Sequence, residues 1–302
     1  MENDLSLGAA WMNGTVIPIS QAAIPVNDWG LVHSDITYDV VPVIDGAFFR
    51  FDEYLARFLS SMENLHLDPG MSKRDIKAAL HQMVSKSRLR DSYVAMVCSR
   101  GKPKIAGSRD PRDCDNHFFA WCVPYVHVIK PEVVEQGATA WIAQNAYRIP
   151  ENSVNPRVKN YHWGDFTQGI FEAKDKNYET VILLDYDGNV TEGPGFNVFA
   201  VKDKVLITPD RGVLAGVSRK TVLEMAEHLG INTSIRSLSV EELLEADEVF
   251  LSSSGGGVIP IIRVNETIFG NGASGPISVQ LNETYWAWTT LEKYRDPIDY
   301  TL

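Results

Sequence analysis

Apolar residues recur at every third or fourth position in FDEYLARFLSSMENL (51–65) and SKRDIKAALHQMVSKSRL (72–89), the spacing that lays one apolar stripe along a helix. Elsewhere the pattern shortens to runs that read as strands: AAWMNGTVIPI (9–19), AFFRF (47–51), SYVAMVCS (92–99) and HFFAWCVPYV (117–126). The polar stretch between the last two (100–116) is rich in Lys, Arg, Gly and Pro and predicts a long surface loop. Beyond Pro124 the segment 125–136 reads as a linker. A second half then opens with strand-like ATAWIAQN (138–145) and helix-like FTQGIFEAKDK (166–176). It continues with the strand ETVILLD, an Asp187-Gly188 turn, the strand-like FNVFAVKDKVLIT (196–208) and a helix from Ser218. INTSIRSL, the short helix SVEELLE, the strands DEVFLS and VIPIIRV, and a closing helix over 276–294 complete it. Strands and helices mix without strict strand-helix-strand repetition, so the expected class is α+β rather than a doubly wound parallel sheet. The expected domains are a smaller one over 1–124 and a larger one over 137–302, with no internal repeat in either.

Composition narrows the partners. The 302 residues are 44% hydrophobic and 22% charged, enough for a large buried core. A net charge of -11 without long basic runs argues against nucleic acid and anionic membrane surfaces as partners. The first residues, MENDLSLGAAWMNG, lack a basic stretch followed by an apolar core, and no segment approaches about eighteen uninterrupted apolar residues. Three cysteines without a C-x-x-C pair suit packing in a reducing compartment, so a cytoplasmic location is expected. The scattered histidines and cysteines show no metal-ligand spacing, and no metal is expected.

The residue that most narrows the chemistry is Lys159 in VKNYHWGD (158–165). A lysine usually carries a solvated surface charge. Here Tyr161, His162 and Trp163 follow it closely, and desolvation by aromatic neighbours disfavours the ammonium and favours the neutral amine that captures a carbonyl. Three later segments read as parts of a cofactor cradle. In TEGPGFNVF (191–199) Glu192 is either an exposed turn carboxylate or the partner of a protonated ring nitrogen. GVLAGVSRKTV (212–222) is a glycine-bearing approach to a helix start, where unpaired backbone N–H groups suit a phosphate, although Ser218 could equally act as an N-cap. LSSSGGGVIP (251–260) joins two apolar strands through small hydroxylated residues and glycines, which favours a tight loop packed on a ligand over a flexible linker.

Competing signatures fail on context. GNGASG (270–275) satisfies G-x-G-x-x-G, but a dinucleotide site also needs a second strand bearing an acidic residue after the helix, and only the short tail DPIDYTL remains there, so GNGASG reads as a loop. No G-x-S-x-G elbow, H-E-x-x-H helix or P-loop is present.

Together these segments resemble the fold-type IV aminotransferases that use pyridoxal 5'-phosphate, over nearly the whole chain. The resemblance implies that Lys159 is the Schiff-base lysine and catalytic base, that Glu192 partners the ring nitrogen, and that Gly216, Val217 and Ser218 hold the phosphate. Ser253 and Ser254 stand where the family often has a threonine pair that also reaches the phosphate, and Arg57 in DEYLARF matches the family's phosphate arginine. Within the family, HSDITYDV (33–40) and K-N-Y-x-W-G-D are most similar to (R)-selective amine transaminases, which makes His33, Tyr38, Val40 and Trp163 pocket residues. Branched-chain members place an arginine two residues after a tyrosine in the strand matching SYVAMVCS. Here that tyrosine is Tyr93 and the second position is Ala95, so bidentate capture of a carboxylate is missing at that point. Arg109 or Arg112 in the loop could bind a keto acid instead. The implied reaction moves an amino group from a chiral primary amine, (R)-configured, to a keto acid such as pyruvate, in a homodimer. The alternatives are a branched-chain or D-amino-acid aminotransferase, a lyase of the same fold, and a binding protein that keeps the cradle without turnover.

Overall fold

The computed structural model describes residues 4–301, and these divide into two compact units. The first comprises the chain through Val126, Val158–His162 and the segment from Leu291; the second comprises His127–Arg157 and Trp163–Thr290. A single cut near residue 125 therefore describes the organisation only in part. The pentapeptide that carries Lys159 groups with the N-terminal half, and so does the closing segment.

The first unit is built on a seven-stranded, wholly antiparallel sheet. Its strands are β1 (Ala9–Met12), β2 (Thr15–Pro18), β3 (Ile36–Ile44), β4 (Ala47–Phe49), β5 (Ser92–Pro103), β6 (Cys114–Pro124) and an edge strand, Arg295–Pro297. A short helix, α1 (Trp29–Val32), leads into β3, and α2 (Phe51–Asn64) and α3 (Lys73–Ser87) supply the two predicted amphipathic helices. Their apolar stripes, including Tyr54, Leu55, Phe58, Leu80 and Met83, are fully buried. Ser72 caps α3 in a reciprocal capping box with Asp75, which fixes where that helix starts.

The structure departs from the sequence reading at four places. HSDITYDV feeds a long central strand, β3, that alternation alone does not reveal, because eight of its nine residues are buried. The β5–β6 hairpin runs on past a register shift between Ser99 and Lys102, so the loop shrinks to the residues between Pro103 and Cys114. The expected linker contains α4 (Pro131–Gln136). The closing helix stops at Trp288, and the chain continues through a single turn of 3-10 helix to the edge strand.

The second unit is organised around a nine-stranded mixed sheet. In order it comprises β7 (Ala138–Tyr147), α5 (Gly164–Asp175), β8 (Thr180–Leu184), β9 (Glu192–Gly193), β10 (Phe196–Lys202), β11 (Val205–Thr208), α6 (Val217–His228) and β12 (Thr233–Ile235). α7 (Val240–Leu244), β13 (Glu248–Ser253), β14 (Gly257–Val264), β15 (Thr267–Ile268) and α8 (Pro276–Trp288) follow. β7 and β8 pair in parallel and are buried on both faces, with Ile142 and Ile182 in one apolar cluster and Trp141, Val181 and Leu183 in another. Burial on both faces explains why these strands read as continuous apolar runs rather than as alternation. The three cysteines are buried and unpaired, and burial pushes the Cys98 thiol up to about 12, consistent with packing roles.

Candidate active site

Within the first unit, Lys159 is pinned through its backbone. Its carbonyl accepts from Thr37 Oγ1 at 2.6 Å and from Tyr38 N at 3.4 Å, and its N–H donates to Ser61 Oγ at 3.3 Å. The side chain is thereby left to be placed by what surrounds it, and Nζ sits 4.5 Å from the centroid of the Tyr38 ring. Tyr161 stacks on the same ring at 4.1 Å and 8°. The aromatic setting inferred from sequence is thus present, although β3 supplies much of it, 121 positions before the lysine.

Sheet register gathers four of the pocket candidates. Val40 pairs with Ala95, Tyr38 with Val97 and Pro42 with Tyr93, so alternation puts Tyr38, Val40, Tyr93 and Ala95 on one face. Burial, assisted by the Tyr38 neighbour, holds the hydroxyls of Tyr93 and Tyr161 well above the ordinary tyrosine range, and both stay protonated donors. His33 lies apart from this face, exposed at the end of α1 with its ring against Trp29. Arg109 is exposed on the β5–β6 loop, and Arg112 is engaged with Asp110.

The other face of β3 carries Asp39, which is fully buried and accepts both Nε and Nη2 of Arg57 at 2.8 and 2.7 Å. Burial works against the Arg57 charge, and Asp39 more than offsets it, so the guanidinium stays protonated at any relevant pH. Sequence reasoning missed Asp39; an acidic residue inside an otherwise apolar strand was the available signal. The pair changes what a test of Arg57 measures. Arg57→Ala strands a buried carboxylate, and breaking a buried pair from one side costs about 3–5 kcal/mol. Thermal unfolding should therefore show a marked drop in Tm for Arg57→Ala even without cofactor, and an unchanged Tm would contradict the coupling.

Within the second unit, the E-G-P-G-F-N turn folds β9 against β10, pairing Gly193 with Phe196 and Glu192 with Asn197. Pro194 and Gly195 occupy the tip, and Gly195 at φ +85 meets the positive φ of a type II turn. Glu192 is therefore buried in a strand, not exposed in a turn. Its Oε1 accepts from Arg148 Nε at 3.2 Å, and its Oε2 from Leu214 N at 2.8 Å and Asn197 Nδ2 at 3.3 Å. Arg148, also missed in the sequence, reaches Asp165 Oδ2 with Nη1 at 2.6 Å.

Asn197 also fixes the approach to α6, donating to the carbonyl of Leu214 at 3.0 Å. A Cβ at Gly216 would lie 2.2 Å from Asn197 Oδ1, so only glycine fits at this N-cap, and no side chain caps the helix. Val217 and Ser218 form its first turn, and the buried Ser218 hydroxyl is 3.5 Å from that of Tyr285. Ser253 accepts from Gly255 N and donates to the carbonyl of Gly195, tying the serine loop to the glutamate turn, with Ser254 next to it. Ser252 Oγ, on the register partner of Asn197, is buried without a hydrogen-bond partner among the described residues. Trp163 precedes α5 and packs against Phe166 at 5.5 Å.

This donor set suits a phosphorylated cationic ring. It offers an anchored buried carboxylate, an uncapped helix start, and buried hydroxyls, one of them unpartnered. Among the described residues no cluster of His, Cys, Asp or Glu could hold a metal, and no helix is long and apolar enough to cross a membrane.

Comparison with known proteins agrees with this chemistry. Residues 37–264 match the model of amino-transferase class IV. A putative branched-chain-amino-acid aminotransferase of Methanocaldococcus jannaschii is 28% identical over 91% of this chain and 94% of its own length. A D-alanine aminotransferase of Bacillus licheniformis is 29% identical over 88% and 92%. The crystal structure of the T.th. branched-chain amino acid aminotransferase with pyridoxamine 5'-phosphate superposes with a TM-score of 0.90 at 23% identity, covering 97% of this chain and 99% of that one. The match spans most of the chain, which belongs to the class IV aminotransferases, enzymes of fold type IV that depend on pyridoxal 5'-phosphate.

Proposed function

We propose that the protein transfers the amino group of an apolar amino acid to a keto acid. The observation that carries this reading is the sheet face of the first unit. Across the rows Tyr38–Val97–Phe119, Val40–Ala95–Trp121 and Pro42–Tyr93–Val123, every side chain is apolar or aromatic and none is charged. Such a face suits a branched or aryl group, at about 25 cal/mol per Å² of apolar surface covered. The neutral hydroxyls of Tyr93 and Tyr161 are donors for a carboxylate. The names of the two relatives, branched-chain and D-alanine aminotransferases, support an amino-acid donor better than a simple amine.

In this proposal the roles implied by the family resemblance are kept: Lys159, Arg57, Glu192, Gly216, Val217, Ser218, Ser253 and Ser254 are the cofactor-holding residues. When bound, pyridoxal 5'-phosphate supplies the carbonyl carbon and the electron-withdrawing ring. Lys159 Nζ, which lies beside the Tyr38 ring, takes the proton from the donor Cα and later returns one. Glu192 keeps the ring nitrogen protonated. The α6 N-terminus and the serine hydroxyls orient the phosphate. Action as a cytosolic homodimer is part of the proposal.

A second reading, a chiral (R)-amine as donor, is favoured by Ala95, which is fully buried and offers no guanidinium where a carboxylate would dock. One panel separates the two. Purified protein receives L- and D-forms of leucine, valine and alanine, and each enantiomer of 1-phenylethylamine, with pyruvate or 2-oxoglutarate as acceptor. Keto-acid formation from at least one apolar amino acid is expected. Turnover of (R)-1-phenylethylamine with every amino acid inert would replace the first reading with the second.

A further inference from the structure

The Glu192 carboxylate does not stand alone. Arg148 follows the last residue of β7, its N–H held by the carbonyl of Leu184 at 2.8 Å, and its side chain is only 8% exposed. One face lies 4.3 Å from the Phe166 ring centroid, leaving the edge to two carboxylates that are each 6% exposed. Nη1 donates to Asp165 at 2.6 Å and Nε to Glu192 at 3.2 Å. Asp165 is itself fixed near the start of α5, where it accepts from the N–H groups of Ile149 and Phe166. Arg219 on α6 is a further cation in the field of Glu192, but it is occupied with Thr208 Oγ1 and the carbonyl of Pro209.

Two buried carboxylates thus share one guanidinium, and the nearer contact goes to Asp165. A buried carboxylate without compensation takes up a proton rather than remain charged. Fully neutralised by its own arginine, it would attract a ring cation less. We propose that Arg148 is the positioning residue for Glu192, and that Asp165 sets how much of the Arg148 charge Glu192 receives. The division keeps Glu192 ionised and aimed while leaving net negative charge to hold a protonated ring nitrogen. Arg148 and Asp165 need not touch the cofactor or the substrate to do this.

The inference rests on the aminotransferase reading, and the test separates the two. The half-reaction with any donor the wild type accepts is followed by cofactor absorbance from pH 6 to pH 9, and cofactor affinity is measured by titrating the apo-protein. For Arg148→Gln the rate should fall at least about tenfold below wild type at pH 6, the equivalent of one pH unit in a carboxylate titration, and recover in part by pH 9. The sign follows from the charge. A carboxylate that has lost its cation protonates at higher pH, so function is lost on the acid side. Arg148→Lys restores a positive charge and should restore much of that side. Asp165→Asn releases Arg148 to Glu192 and should show no acid-side loss, with a lower affinity for the cofactor at all pH values. A wild-type pH profile in Arg148→Gln, or the same acid-side loss in both Arg148→Gln and Asp165→Asn, overturns the proposal. If Arg148→Gln does not fold, acid-side loss in Asp165→Asn, or its absence together with unchanged cofactor affinity, overturns it instead. Failure of the wild type itself to take up cofactor would strike at the aminotransferase reading.

Discussion

Lys159→Ala should give a folded protein that retains no measurable amino transfer. The fold survives because the contacts that hold this segment to β3 and α2, from Thr37 and Tyr38 to the carbonyl and from the N–H to Ser61, belong to the backbone and remain after substitution. The side chain contributes a cation–π contact with Tyr38, worth about 0.5–2 kcal/mol, so a small loss of stability is expected. The chemical loss is much larger. A positioned proton shuttle is worth about 10² to 10⁴ in rate, and the same amine is also the nucleophile that captures the cofactor's aldehyde. Steady-state turnover measured beside a thermal melt decides the matter. Near-normal turnover with an intact fold would remove Lys159 from the centre of the site.

Glu192→Gln is expected to keep the fold and slow the half-reaction by about one to two orders of magnitude. A hydrogen bond to a charged group is worth about 1.5–3 kcal/mol, and each 1.4 kcal/mol is tenfold. An amide oxygen can still accept from Leu214 N, so the turn into α6 has a partner after the change. What is lost is the negative charge, and with it the reason for a ring nitrogen to stay protonated. Rapid mixing with saturating donor measures this step apart from binding. A rate equal to wild type would mean that Glu192 only ties β9 to Leu214. Because Arg148 loses half of its compensation in the same variant, a modest decrease in Tm should accompany the kinetic effect.

The chain's own pattern marked the local devices of the candidate site more readily than the architecture around them. Lys159, the E-G-P-G-F-N turn, the helix start at Gly216–Ser218 and the serine loop were legible because each is a local device. A tight turn needs glycine at a positive φ, a helix start needs uncapped N–H groups, and a reactive amine needs desolvating neighbours close in sequence. The helices α2 and α3 were legible for the same local reason, since one buried stripe repeats with the period of the helix. Strand β3 was not legible, because a strand buried on both faces loses the alternation that marks it. Only tertiary structure put Tyr38 over Lys159, paired Asp39 with Arg57, and set Arg148 between Asp165 and Glu192. These contacts join residues 17 to 121 positions apart, and the sequence around each partner carries no signal of the other. Sheet register and strand ends decided them, because a displacement of one residue along β3 would exchange the faces on which Tyr38 and Asp39 lie and undo both arrangements at once.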